Sequence, residues 1–116
     1  MSVTLFGIKN CDTVRKARKW LEAENIKAQF HDFRDDGLSQ EQLQHWVESL
    51  GWETVLNKRS TSFRALTEQQ KNELNQASAM QLMLEMPTLI KRPVLVKDDK
   101  VLLGFKLTDY QAWFAK

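Results

Sequence analysis

Short β-prone runs lie at both ends of this chain and helical signals fill its middle, and that order constrains the fold more than any single residue. Val3, Thr4, Leu5 and Phe6 form an apolar run that stops at Gly7, which predicts a first strand. Over residues 13–24, Val14, Ala17 and Leu21 recur at helical spacing with Arg15, Lys16, Arg18 and Lys19 between them. That pattern predicts an amphipathic helix whose apolar face Trp20 extends. Asn25 ends the helix, residues 26–33 predict a second strand, and Asp35, Asp36 and Gly37 supply the turn that follows.

Ser39 and Gln42 then stand at capping-box spacing ahead of Leu43, Trp46, Val47 and Leu50, with Gly51 where a helix stop belongs. The same spacing at Thr67 with Gln70, Ser78 with Gln81, and Thr108 with Gln111 predicts three more helix starts. Pro87 closes the helix that carries Leu82, Met83 and Met86. Residues 93–96 and 101–103 are short apolar strands separated by Lys97, Asp98, Asp99 and Lys100, and these predict a hairpin. A last helix runs through Tyr110, Trp113 and Phe114. The order is a β-α-β half, a helical block over about residues 39–86, and a β-β-α half. That is the α/β arrangement of a thioredoxin-like mixed four-stranded sheet with a helical insertion between its halves.

A chain of 116 residues buries one core and leaves little room for a second, so a single domain over residues 1–116 is expected. Seventeen basic against fifteen acidic residues leave a net charge of only +2, which argues against a dedicated nucleic-acid binder. No run approaches the length that spans a bilayer and the first residues do not resemble a secretory signal, so a cytoplasmic location is expected. A monomer is expected too, because no long apolar seam is left once the core is assigned.

The chain holds one cysteine and two histidines, a set with no zinc-site spacing, so no metal and no bound cofactor are expected. Cys11 falls between the first strand and the first helix, where exposed N–H groups and the positive end of the helix dipole favour a thiolate. Lys9, Arg15 and Lys16 add positive charge nearby. The competing reading is a small, buried, inert thiol, but that does not account for a cysteine in a polar loop at a helix start. The position three residues on is Val14, so a two-thiol cycle cannot operate within the chain. Turnover must borrow an outside thiol. Glutathione is the expected co-substrate, through a mixed disulfide at Cys11.

Arg59, in the run Asn57-Lys58-Arg59-Ser60, and Arg92, before Pro93, offer planar forks suited to carboxylates and oxyanions. Taken singly, each arginine reads better as a solvated surface residue or a structural ion pair, and Pro93 as an edge-strand proline. A Cys/His hydrolase is the other nucleophilic reading. His45 on the polar side of a helix and His31 in mid-strand read instead as surface or packing residues, and Trp20, Trp46, Trp52 and Trp113 as packing.

The run GIKNCDTVRKARKWL resembles the arsenate reductase (ArsC) and Spx superfamily, and its YffB-like branch in particular. FHDFRDDGLS, LNKRSTSFRAL and LIKRPVLVKDDKVLLGF continue the resemblance through the whole chain. The resemblance implies a thioredoxin-like fold with a helical insertion, and a nucleophile at Cys11. It matches Thr13, Arg15, Arg92 and Pro93 to family positions, with Pro93 cis and near the sulfur, and these together with Asn10 and Arg59 are the candidates to stabilise the thiolate or bind an anion. Two departures stand out. The family's central oxyanion-binding Arg aligns nearer Asn57 than Arg59, and the Arg of its last hairpin falls at Phe105, beside Lys106. The Cys-x-x-Cys switch of many Spx proteins is absent. The implied activity is a glutathione-dependent monothiol reductase on a small anionic or thiol substrate, with arsenate reduction a lesser variant. The alternative is a non-enzymatic, Spx-like regulator whose basic first helix meets a protein partner of the transcription machinery.

Overall fold

A computed structural model describes residues 3–115. The chain divides into two compact units. One is the chain up to Asp36 together with the chain from Arg92 onward, and the other is Gly37–Lys91.

The first unit is the sheet. β1 (Val3–Gly7), β2 (Gln29–Asp32), β3 (Val94–Lys97) and β4 (Lys100–Leu103) lie in the order β2-β1-β3-β4, with β1 parallel to β2 and the other pairs antiparallel. Helix α1 (Asp12–Ala23) is the crossover between β1 and β2 and buries Val14, Ala17 and Leu21, the residues its periodicity singled out. They meet Val3, Leu5, Leu95 and Tyr110 in one apolar cluster. Asn25, at φ 58°, closes α1 in a Schellman motif. Its N–H donates to Glu22 O, the Ile26 N–H donates to Leu21 O at 2.9 Å, and Ile26 packs on the cluster. The second strand therefore begins at Gln29, three residues later than predicted, because Ile26 serves the helix end.

Gly7 does more than stop a strand. It is the last residue of β1, and a Cβ built on it would stand 2.7 Å from Val14 Cγ2. Val14 is fully buried and β-branched, so it has no free end to swing aside. Gly7→Ala is expected to cost about 2 kcal/mol through overpacking, read as a lower urea midpoint. An unchanged midpoint would mean that α1 shifts freely on the sheet.

The second unit is helical. It contains α2 (Gln40–Leu50), α3 (Trp52–Val55), α4 (Thr61–Arg64), α5 (Glu68–Asn72) and α6 (Gln76–Glu85), then a short 3-10 turn at Pro87–Leu89. Capping boxes at Ser39 with Gln42 and at Thr67 with Gln70 are both formed. Two predicted starts need correction. The cap of α6 is Asn75, and Ser78 is its reciprocal partner three residues on. The last helix, α7 (Leu107–Trp113) in the first unit, begins after Lys106 with no side-chain cap, which places Thr108 inside its first turn. Trp46 is buried in the helical unit, while Trp20 packs against Tyr110 and Phe114 in the sheet unit. No helix among the described residues is long and apolar enough to cross a membrane.

Candidate functional site

Cys11 stands where β1 hands over to α1. After Gly7, Ile8 turns inward and Lys9 and Asn10 outward. The Cys11 N–H donates to Ile8 O at 3.3 Å, and its own carbonyl accepts the Arg15 N–H at 3.0 Å, which opens the helix. With φ −99° and ψ 124°, Cys11 is the N-cap of α1, half-buried and without a side-chain capping hydrogen bond. The N–H groups of a helix's first turn lack intrahelical partners and carry the positive end of its dipole. A sulfur at the cap is in their field.

The neighbouring candidates are arranged less simply. Thr13 is half-buried in the first turn, while Asn10 is exposed. The Arg15 guanidinium is turned onto the Asp12 carboxylate, where it holds that carboxyl below its ordinary range. The charge expected beside the thiolate is thus shared with Asp12. Arg92 is half-buried and Pro93 buried at the entry to β3, and the peptide bond between them is cis, as the resemblance implied. Pro93 O accepts the Gly104 N–H at 2.8 Å. Arg59 lies in the helical unit, exposed, with its N–H on Asn57 Oδ1 at 3.0 Å. Phe105, where the family pattern has an Arg, packs edge-on against Tyr110 at 4.7 Å between ring centroids. That position, half-buried, packs against the apolar cluster of the sheet unit.

One residue bonded to the loop before Cys11 escaped the sequence reading. Asp32, the last residue of β2 and the register partner of Gly7, is 4% exposed, and both of its carboxylate oxygens are engaged. Oδ2 accepts the Lys9 N–H at 3.1 Å. Oδ1 accepts the N–H groups of Arg34 at 2.7 Å and Asp35 at 3.3 Å. Burial pushes this carboxyl up, but the three backbone donors outweigh it, with help from the Lys9 charge, and hold it below its ordinary value. The only sequence signal was an acid between His31 and Phe33 ahead of a turn, where Asp commonly accepts from the N–H groups that follow it.

The linkage has a definite sign. A carboxyl held below its unfolded value of roughly 3.9 stabilises the fold fully above that pH, and the contribution is lost as pH falls through the folded value. Asp32→Asn is expected to lose about 2 kcal/mol at neutral pH, because an amide nitrogen must face one of the N–H donors. The gap to the wild type should narrow below about pH 4. Urea titrations at several pH values read this directly, and a gap that stays constant down to pH 3 would show that the charge is not what matters.

The β-α-β and β-β-α halves around one mixed sheet, with a single thiol at the cap of the first helix, define a thioredoxin-like protein of the one-cysteine kind. The model of the ArsC family matches residues 6–113, and the chain belongs to that family. A solved structure described as the YffB protein superposes with a TM-score of 0.95 at 46% identity, over 98% of this chain and 100% of that one. An uncharacterised protein of Haemophilus influenzae is 50% identical over 113 residues, 97% of this chain and 99% of that protein. The global transcriptional regulator Spx of Streptococcus agalactiae is 28% identical over 116 residues, 98% of this chain and 84% of Spx.

Proposed function

We propose that this protein is a monothiol reductase that exchanges disulfides with glutathione through Cys11. The observation that carries the reading is the placement of Cys11 as the N-cap of a twelve-residue helix, with its side chain in no capping hydrogen bond. In the proposed cycle the Cys11 thiolate attacks the glutathione sulfur of a substrate R–S–S–glutathione. The new bond is Cys11–S–S–glutathione, and the leaving thiolate RS⁻ takes up a proton. A second glutathione thiolate then attacks the glutathione sulfur of that adduct, which releases glutathione disulfide and returns the Cys11 thiolate. Overall the R–S half of the substrate disulfide is reduced to RSH, and one free glutathione is oxidised as it joins the substrate's glutathione in glutathione disulfide. Val14 at the third position after Cys11 is fully buried carbon, so the second thiol has to come from outside the chain.

Arg92, in the same unit as Cys11, is proposed to meet a carboxylate of glutathione or an anionic substrate, and Arg59 to bind an anion on the helical unit. Asn10 and Thr13 are proposed to orient what approaches the sulfur, and Pro93 to flank it. Membership of the ArsC family supports an arsenate-type substrate as a variant. The departures at Asn57 and Phe105 make it the lesser one, since Phe105 packs its ring against Tyr110 where the family pattern has an Arg.

The test is incubation with glutathione disulfide followed by intact-mass analysis and a coupled glutathione-turnover assay. One glutathione per chain at Cys11, removable by further glutathione, is the expected result. A thiol that forms no adduct while still alkylating would end this reading. The second reading is a regulator that acts by binding a protein. It draws on the Spx relatives and on the exposed basic side of α1, where Lys16 and Lys19 face outward. Binding to an RNA polymerase subunit, lost on Lys16→Glu and Lys19→Glu, would favour it.

A further inference from the structure

We propose that Asp32 is the positioning residue of the Cys11 loop: by accepting the Lys9 N–H, its carboxylate holds the segment between β1 and α1 in the shape that makes Cys11 the helix cap. The inference rests on the reading of Cys11 as a working nucleophile and names the residue that sets its geometry.

Three observations carry it. The loop runs only from Ile8 to Cys11, and within it the Cys11 N–H turns back on Ile8 O, so its shape depends on how its middle is tied. The Lys9 N–H supplies that tie by reaching across to β2, twenty-three residues on in the chain. The acceptor is itself immobilised. Asp32 sits beside Gly7 in the β1–β2 register, its second oxygen takes the Arg34 and Asp35 N–H groups, and its own N–H donates to Asp36 Oδ2 at 3.0 Å. A carboxylate fixed on one side by its own turn and joined on the other to the thiol loop transmits position from the sheet to the sulfur.

The Lys9 side chain also pairs with Asp35, at 2.6 Å, but both groups are more than half exposed, and pairs of that kind hold little. The two connections predict unequal outcomes on mutation. The charged groups placed around Lys9 and Asp32 include Asp35 and Asp36 from the turn after β2. The competing explanation is that Asp32 only shapes the turn after β2. In that case its loss would lower stability and leave the thiol unchanged.

The experiment measures the second-order rate of Cys11 alkylation by iodoacetamide from pH 5 to 9. It uses wild type, Asp32→Asn and Asp35→Asn, each shown to be folded by circular dichroism, with Cys11→Ser as blank. Asp32→Asn is expected to slow alkylation at pH 7 at least fivefold and to change the shape of the pH profile, while Asp35→Asn stays within twofold of wild type. A folded Asp32→Asn with the wild-type profile, or equal effects of both variants, would overturn the inference.

A second measurement needs no variant. In an acid titration of the wild type followed by amide NMR, the Lys9, Arg34 and Cys11 N–H resonances are expected to move with one midpoint. If Lys9 and Arg34 move and Cys11 does not, Asp32 shapes only its turn and the inference fails. A wild-type thiol that alkylates like a free peptide cysteine would instead count against the reductase reading, and the NMR titration would still decide the role of Asp32.

Discussion

Cys11→Ser is expected to reduce glutathione exchange to the uncatalysed level while leaving stability within about 1 kcal/mol of wild type. Chemistry and stability separate here because the two residues differ in opposite ways at this position. Serine is a poor nucleophile without a general base beside it, and the adjacent Asp12 carboxylate is engaged by the Arg15 guanidinium. As a helix cap, however, serine is among the best side chains, and it can accept an N–H of the first turn where the Cys11 sulfur makes no such bond. The gain at the cap offsets the loss of a half-buried sulfur. Intact mass after glutathione disulfide reads the first effect and thermal unfolding the second. A variant that still turns over glutathione would place the chemistry elsewhere. One that unfolds would mean that Cys11 is a core residue.

The sheet was legible in the sequence because its strands are short, β-prone and closed by turn residues, and α1 because its apolar stripe is regular. Errors arose where one local pattern had two structural uses. Ser78 with Gln81 matches a capping box, yet Asn75 lies three residues earlier and caps better, so Ser78 becomes the partner and the helix starts sooner. At α7, Lys106 caps with no side-chain bond, and burial of Tyr110 outweighs the weak signal at Thr108. The site was read in the same way. Cys11 could be placed because a strand end and a helix start bracket it. Asp32 could not, since its meaning lies in the approach of Lys9, a contact between distant positions that no periodicity records. Arg15 shows the converse: its proximity to Cys11 in sequence is real, but a carboxylate three residues before it takes the guanidinium.

Tyr110→Ala is expected to be the most destabilising substitution considered for this chain, at about 4 kcal/mol. Tyr110 is fully buried in the cluster formed by Val3, Leu5, Val14, Ala17, Leu21 and Leu95. Its ring lies edge-on to Trp20 at 5.6 Å and to Phe105 at 4.7 Å between centroids, a geometry that adds to the area it buries. It also anchors α7, whose carboxyl end is held by the Lys97 ammonium on the Trp113 carbonyl oxygen. Removing the ring leaves a cavity between helix and sheet that a short helix cannot close. A loss of that size is a large share of the roughly 5–15 kcal/mol available to a domain.

Tyr110→Phe isolates the hydroxyl, which donates to Gly104 O at 3.3 Å, and is expected to cost about 1 kcal/mol. Burial pushes the phenol up, so the wild type keeps this contribution below the unfolded value of about 10 and loses it as the pH rises above that. The Phe variant carries no such alkaline loss. Urea midpoints at neutral and alkaline pH test both substitutions together. If Tyr110→Ala falls within about 1 kcal/mol of wild type, the cluster repacks and α7 is not fixed through this ring.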